Sequence, residues 1–107
     1  MSALARLAAT IEARRGSDPS GSWTAKLLSQ GPEKCAEKFG EEAVEAVIEA
    51  VRGDADALTR EAADVLYHLL VMCAACGVAL ADVEAELERR EGVSGVAEKA
   101  GRSSGAS

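Results

Sequence analysis

Two pairs of acids carry the most suggestive chemistry in this chain: Glu42-x-x-Glu45 and, after fifteen intervening residues, Glu61-x-x-Asp64. Residues three apart on a helix share a face. Two carboxylates held one turn apart repel each other wherever water is scarce, so a repeated pair calls for a compensating cation. Four oxygen donors suit a hard cation such as magnesium or manganese. Zinc prefers thiolate or imidazole. A ferritin-like di-iron site needs Glu-x-x-His, whereas the sole histidine, His68, follows Asp64 by four positions.

The two pairs do not weigh equally. Lys34, Lys38, Glu41, Glu42, Glu45, Glu49 and Arg52 form one stripe of a helix whose other side holds Cys35, Phe39, Ala43, Val47 and Ala50. By itself such a stripe is an ordinary solvated face laced by Lys–Glu pairs. The second pair is harder to explain that way, because from Ala62 to Leu80 only Asp64, Tyr67 and His68 offer strong polar groups. A helix apolar on every side is expected to be buried. Asp64 is then an expensive buried carboxylate, needing either a metal or an arginine partner.

The elements that must position these acids are all helical. Leu4, Leu7, Ala8 and Ile11 recur at helical spacing between Ala3 and Arg15, and a turn-rich loop follows from Gly16 to Ser22. Ser22 caps a short helix from Trp23 to Ser29, and Gly31-Pro32 breaks the chain and starts the next. That helix runs to about Arg52, where Gly53 stops it and Asp54 caps a successor from about Ala55 to Cys76. Two long helices joined by so short a turn pack antiparallel, bringing the acid pairs to one place. A last helix, Ala81 to Arg90, turns Val83 and Leu87 inward.

The expected fold is all-α: an antiparallel bundle of four to five helices over residues 1–91, with a weakly ordered tail over 92–107. The fourth helix has more apolar surface than so short a chain can cover, so a homodimer is expected to complete the bundle. Twelve basic against eighteen acidic residues give a net charge of -6, which disfavours nucleic acid as a partner. Charges interrupt the first fifteen residues, and the longest apolar run holds Tyr67, His68 and Gly77. The chain therefore reads as cytoplasmic, with neither a secretion signal nor a membrane span. Three cysteines suggest reduced thiols; Cys73 and Cys76 lie mid-helix without a second pair, and Cys35 reads as a small core residue.

The run Lys34-x-x-x-Lys38-Phe39-Gly40-Glu41-Glu42-Ala43-Val44-Glu45, followed by Glu61-Ala62-Ala63-Asp64-Val65-Leu66-Tyr67-His68, resembles the MazG-like all-α nucleotide pyrophosphohydrolases. Within them it is similar to the phosphoribosyl-ATP pyrophosphohydrolase family, as are Gly21 to Leu27 and the segment Arg90 to Gly95 with Glu98-Lys99. The resemblance implies cleavage of phosphoribosyl-ATP to phosphoribosyl-AMP and pyrophosphate, the second step of histidine biosynthesis. It implies Glu42, Glu45, Glu61 and Asp64 as ligands of magnesium, with manganese as the alternative. Glu41, Glu42 or Glu45 would orient or deprotonate the attacking water. Lys34 and Lys38, together with Lys26 and Thr24, would bind phosphate oxygens. Two alternatives stand beside this reading: a housekeeping pyrophosphatase for non-standard nucleotides, and a non-catalytic helical dimer whose acids only solubilise it. Two departures from the family pattern are Trp23, where Tyr is more usual, and Ala79, where relatives often carry a serine cap.

Overall fold

In the computed structural model, which describes residues 1–92, the chain folds into five helices: α1 (Ala3–Ala13), α2 (Trp23–Gln30), α3 (Pro32–Arg52), α4 (Ala55–Ala75) and α5 (Leu80–Arg90). No strand occurs among the described residues, so the fold is all-α as the periodicity demands. The expected tail from residue 93 onward lies outside the described residues, including Ser94, Gly95, Glu98 and Lys99.

The helix boundaries follow local chemistry. Ser2, Ser22 and Asp54 each accept a hydrogen bond from the backbone N–H three residues on, at Ala5, Ala25 and Ala57, satisfying donors that a helix start leaves open. Gly53 ends α3 at φ 77°, a left-handed conformation natural to glycine, and its N–H reaches the carbonyls of Glu49 and Ala50. With Asp54 capping the next helix immediately, α3 and α4 fold back on each other as a hairpin that makes the principal helix contact of the molecule.

The core lies at one end of that hairpin. Ile11 of α1, Leu27 of α2, Cys35 of α3, and Leu70 and Val71 of α4 form the buried cluster. The Cys35 thiol donates to the Leu27 carbonyl at 3.2 Å, holding α2 against the start of α3. Arg15, just beyond α1, donates to the Ala74 carbonyl at 2.7 Å and pairs with Glu12 at 2.9 Å. α1 and α2 thus cover the start of α3 and the end of α4.

Toward Gly53 the described residues provide no such cover, so the expected facing of α3 holds only in part: Cys35, Phe39 and Ala43 are buried or half-buried as expected, while Val47 and Ala50 are exposed. Glu42 and Glu49 are half-buried, whereas Val44, Val47, Ile48 and Val51 are exposed. Val47, expected against the core, is 62% exposed. α4 is likewise open along Ala62, Ala63, Asp64 and Leu66, so the expectation of a helix buried on every side holds only for its second half. Leu87 of α5, expected to point inward, is 59% exposed.

α5 starts with half of a reciprocal cap. Asp82 accepts from the Ala79 N–H at 3.1 Å, but the alanine has no side-chain oxygen to return the bond. Ala79→Ser supplies that oxygen and is expected to raise stability by about 0.5–1 kcal/mol. Urea denaturation monitored by circular dichroism checks this; an unchanged or lower midpoint contradicts it.

Candidate metal centre

The hairpin brings the acids of α3 and α4 together. Carboxylate oxygens of Glu42, Glu45 and Glu61 all lie within 4.8 Å of one another, close enough to share one cation. One oxygen of Glu61 is buried with no hydrogen-bond partner. A carboxylate oxygen left unsatisfied is costly, and a hard cation is the simplest group that relieves it without adding another acceptor. Asp64, one turn beyond Glu61, stands outside this trio, yet its charge acts on both Glu42 and Glu61. Its side chain is exposed and not buried as expected, because α4 has no neighbouring helix over that face.

Crowding shows in the ionisation of the trio. Glu42 is pushed up to about 7, first by burial, then by the hydrogen bond and charge of Glu45, and further by Asp64 and Glu61. Glu61 is raised as well, by burial and then by the charge of Glu45. In the metal-free protein the protonated form of Glu42 is therefore favoured relative to an ordinary carboxyl, where a cation would hold all the oxygens.

The expected phosphate-binding residues surround this point at different removes. Lys38, half-exposed, pairs with the exposed Glu41 at 3.4 Å, and both charges reach His68 on α4. Lys34 pairs with Glu37 at 3.4 Å, one turn nearer the start of α3. Thr24 is hydrogen-bonded through its hydroxyl to that of Tyr67. Lys26, exposed on the same turn of α2, lies with its Nζ 5.8 Å from the centre of the Trp23 ring. Arg89 and Arg90 both engage Glu86, at 2.8 and 3.2 Å, and hold that acid down at about 2.

Two features were not legible in the chain. The Thr24–Tyr67 bond joins residues 43 apart, and no local pattern announces such a link. His68 is buried, as its place in the apolar run suggests, and its Nδ1 has no hydrogen-bond partner. The ring instead meets Tyr67 edge-on, at 4.9 Å and 79°. Burial lowers its pKa below the ordinary range against the opposing pull of Asp64, which favours the neutral imidazole.

A family model described as phosphoribosyl-ATP pyrophosphohydrolase matches residues 4–91, which span all five helices. The chain belongs to that family. Its similarity to curated proteins named phosphoribosyl-ATP pyrophosphatase runs the length of the molecule. It is 76% identical to the one from Jannaschia sp. over 95% of this chain and 100% of the relative. It is 78% identical to one from Cereibacter sphaeroides over 95% and 99%, and 70% identical to one from Ruegeria pomeroyi over 98% and 100%. Membership of this phosphoribosyl-ATP pyrophosphohydrolase family makes the chain a hydrolase, and pyrophosphatases as a class typically use metal ions.

For a member of this family the acid trio has a measurable cost. A carboxyl whose folded pKa is raised keeps its proton in the folded state after the unfolded chain has lost it, so stability falls as pH rises through that window. Between about pH 4.5 and 7 the metal-free protein is therefore expected to lose stability through Glu42, with Glu61 acting in the same direction. Magnesium or manganese should restore it, and restore more above pH 7 than below. Thermal melts across this range with EDTA or with metal provide the check, and Glu42→Gln should flatten the metal-free slope. A metal-free protein that grows more stable toward pH 8 contradicts the assignment.

Proposed function

We propose that this chain hydrolyses phosphoribosyl-ATP to phosphoribosyl-AMP and pyrophosphate at the carboxylate cluster between α3 and α4, using magnesium or, alternatively, manganese. The observation that carries the proposal is the convergence of Glu42, Glu45 and Glu61, one of them with a stranded buried oxygen, in a chain of this family. Asp64 is the fourth ligand in this reading, supported by its position one turn from Glu61 and its electrostatic reach into the trio. The donor set fits a hard cation, since every ligand offers oxygen.

Magnesium bound there would neutralise phosphate oxygens and acidify water. The chain's own residues do the rest. Lys38 and Lys34 are paired one turn away along α3 with Glu41 and Glu37, and these exposed pairs are weak enough to exchange for phosphate oxygens. Glu41, freed from Lys38 by the substrate, or Glu42 or Glu45, orients the attacking water and takes its proton. Thr24 and Lys26 bind further along the substrate, where α2 meets α4.

The same reading includes a homodimer. Val44, Val47, Ile48 and Val51 form an exposed apolar face on α3, continued by Leu66 on α4, at the end of the hairpin that α1 and α2 leave bare. A second hairpin laid there would complete a four-helix bundle. No single helix among the described residues is long and apolar enough to cross a membrane. A polyphosphorylated substrate does not pass a bilayer unaided, which supports a cytoplasmic setting, and the net charge of -6 argues against nucleic acid as partner.

Incubation with phosphoribosyl-ATP and magnesium should release pyrophosphate, with dUTP and dCTP turned over far more slowly. Efficient turnover of the controls alone would instead favour a housekeeping nucleotide pyrophosphatase. Glu45→Gln, Glu61→Gln and Asp64→Asn are each expected to lower magnesium-dependent kcat/KM by about 100-fold or more, about 3 kcal/mol of barrier, with helicity intact. A variant that keeps a near-normal rate removes that acid from the site. Val47→Glu places a charge in the proposed interface and is expected to shift sedimentation from dimer to monomer. An unshifted dimer would move the interface elsewhere.

A further inference from the structure

The indole of Trp23 is half exposed, yet the backbone beneath it is one of the best-anchored parts of the molecule. Ser22 caps the helix it begins, accepting from the Ala25 N–H at 3.1 Å. Ala25 and Leu27 are buried, and Leu27 is gripped through its carbonyl by the Cys35 thiol. Thr24, the next residue, is hydrogen-bonded to Tyr67. Tyr67 stands three residues from Asp64, about 4.5 Å of helix rise along α4. The exposed ring thus stands on an anchored turn that Thr24 and Tyr67 tie to α4, the helix that carries Glu61 and Asp64.

A substrate whose triphosphate lies on those acids must place its purine farther along, with a second phosphorylated sugar beyond. A flat base bound outside water takes an aromatic face, and the chain has one Phe, one Tyr and one Trp. Phe39 lies half-buried on the hairpin face of α3. Tyr67 spends its hydroxyl on Thr24 and meets His68 ring to ring. Only Trp23 among the three is exposed. Its ring is half exposed, and the Lys26 ammonium lies 5.8 Å from the ring centre, a cation beside the platform.

We infer that Trp23 is the stacking platform for the purine of the substrate, with Lys26 beside it meeting the phosphate of the phosphoribosyl arm. This rests on the functional reading above and adds a specificity element to it. An electron-poor purine substituted at both ends is a good partner for an indole, and its stacking on Trp23 selects a purine over a pyrimidine by overlap area.

Because Trp23 is the only tryptophan, its emission reports the contact directly. On rapid mixing of the full-length protein with phosphoribosyl-ATP and magnesium, indole emission should fall and then recover as pyrophosphate appears. Trp23→Leu keeps apolar bulk without an aromatic face and is expected to raise KM about tenfold while kcat stays within about threefold. Trp23→Phe should restore most of the lost KM. Pyrophosphate release by the wild type with flat emission, or an unchanged KM in the leucine variant, overturns the stacking assignment and leaves the functional reading standing. No pyrophosphate release by the wild type overturns the functional reading, and this assignment with it.

Discussion

Everything in this small fold is arranged around a repulsion. Glu42 and Glu45 on one helix face Glu61 on the next, with Asp64 one turn beyond, and the hairpin holds Glu42 and Glu61 half-buried among these charges. Like charges this close in partly dry surroundings raise one another's pKa or gather a counter-ion. The trio shows the first response in Glu42 and Glu61, and the stranded oxygen of Glu61 marks room for the second. The hairpin must be held from elsewhere, since this part of it contributes strain and not cohesion.

That hold comes from the far end. Ile11, Leu27, Cys35, Leu70 and Val71 clamp α1 and α2 onto the start of α3 and the end of α4, fixing the hairpin's angle from a distance. The division of labour lets the acid end stay open to a charged substrate. It also accounts for Val44, Val47, Ile48 and Val51 lying exposed: among the described residues, only α4 packs along that part of α3, and Glu42 and Glu49 are half-buried there instead.

The helices themselves were legible because their punctuation is strong. Ser22, Pro32, Gly53 and Asp54 each perform the role their chemistry suggests, and the observed ends fall within a residue or two of the expected ones. The facing of α3 was legible at Cys35, Phe39 and Ala43 but not in its second half, where only the placement of neighbours decides that Val47 and Ala50 are exposed and Glu49 half-buried. Asp64 was expected to be buried because its neighbours in sequence are apolar. In the chain, Ala62, Ala63 and Leu66 are themselves exposed, so the acid is too. The convergence of the acid pairs needed only helix period and a short turn, whereas the Thr24–Tyr67 contact depends on how α2 lands on α4, which no spacing encodes.

The central claim is that these carboxylates hold a divalent cation. Anomalous diffraction from crystals grown with manganese tests it most directly. The account predicts an anomalous peak about 2.1 Å from oxygens of Glu42, Glu45 and Glu61, with Asp64 completing the set. Well-ordered crystals with no peak between α3 and α4, or a peak only at other acids, would contradict it.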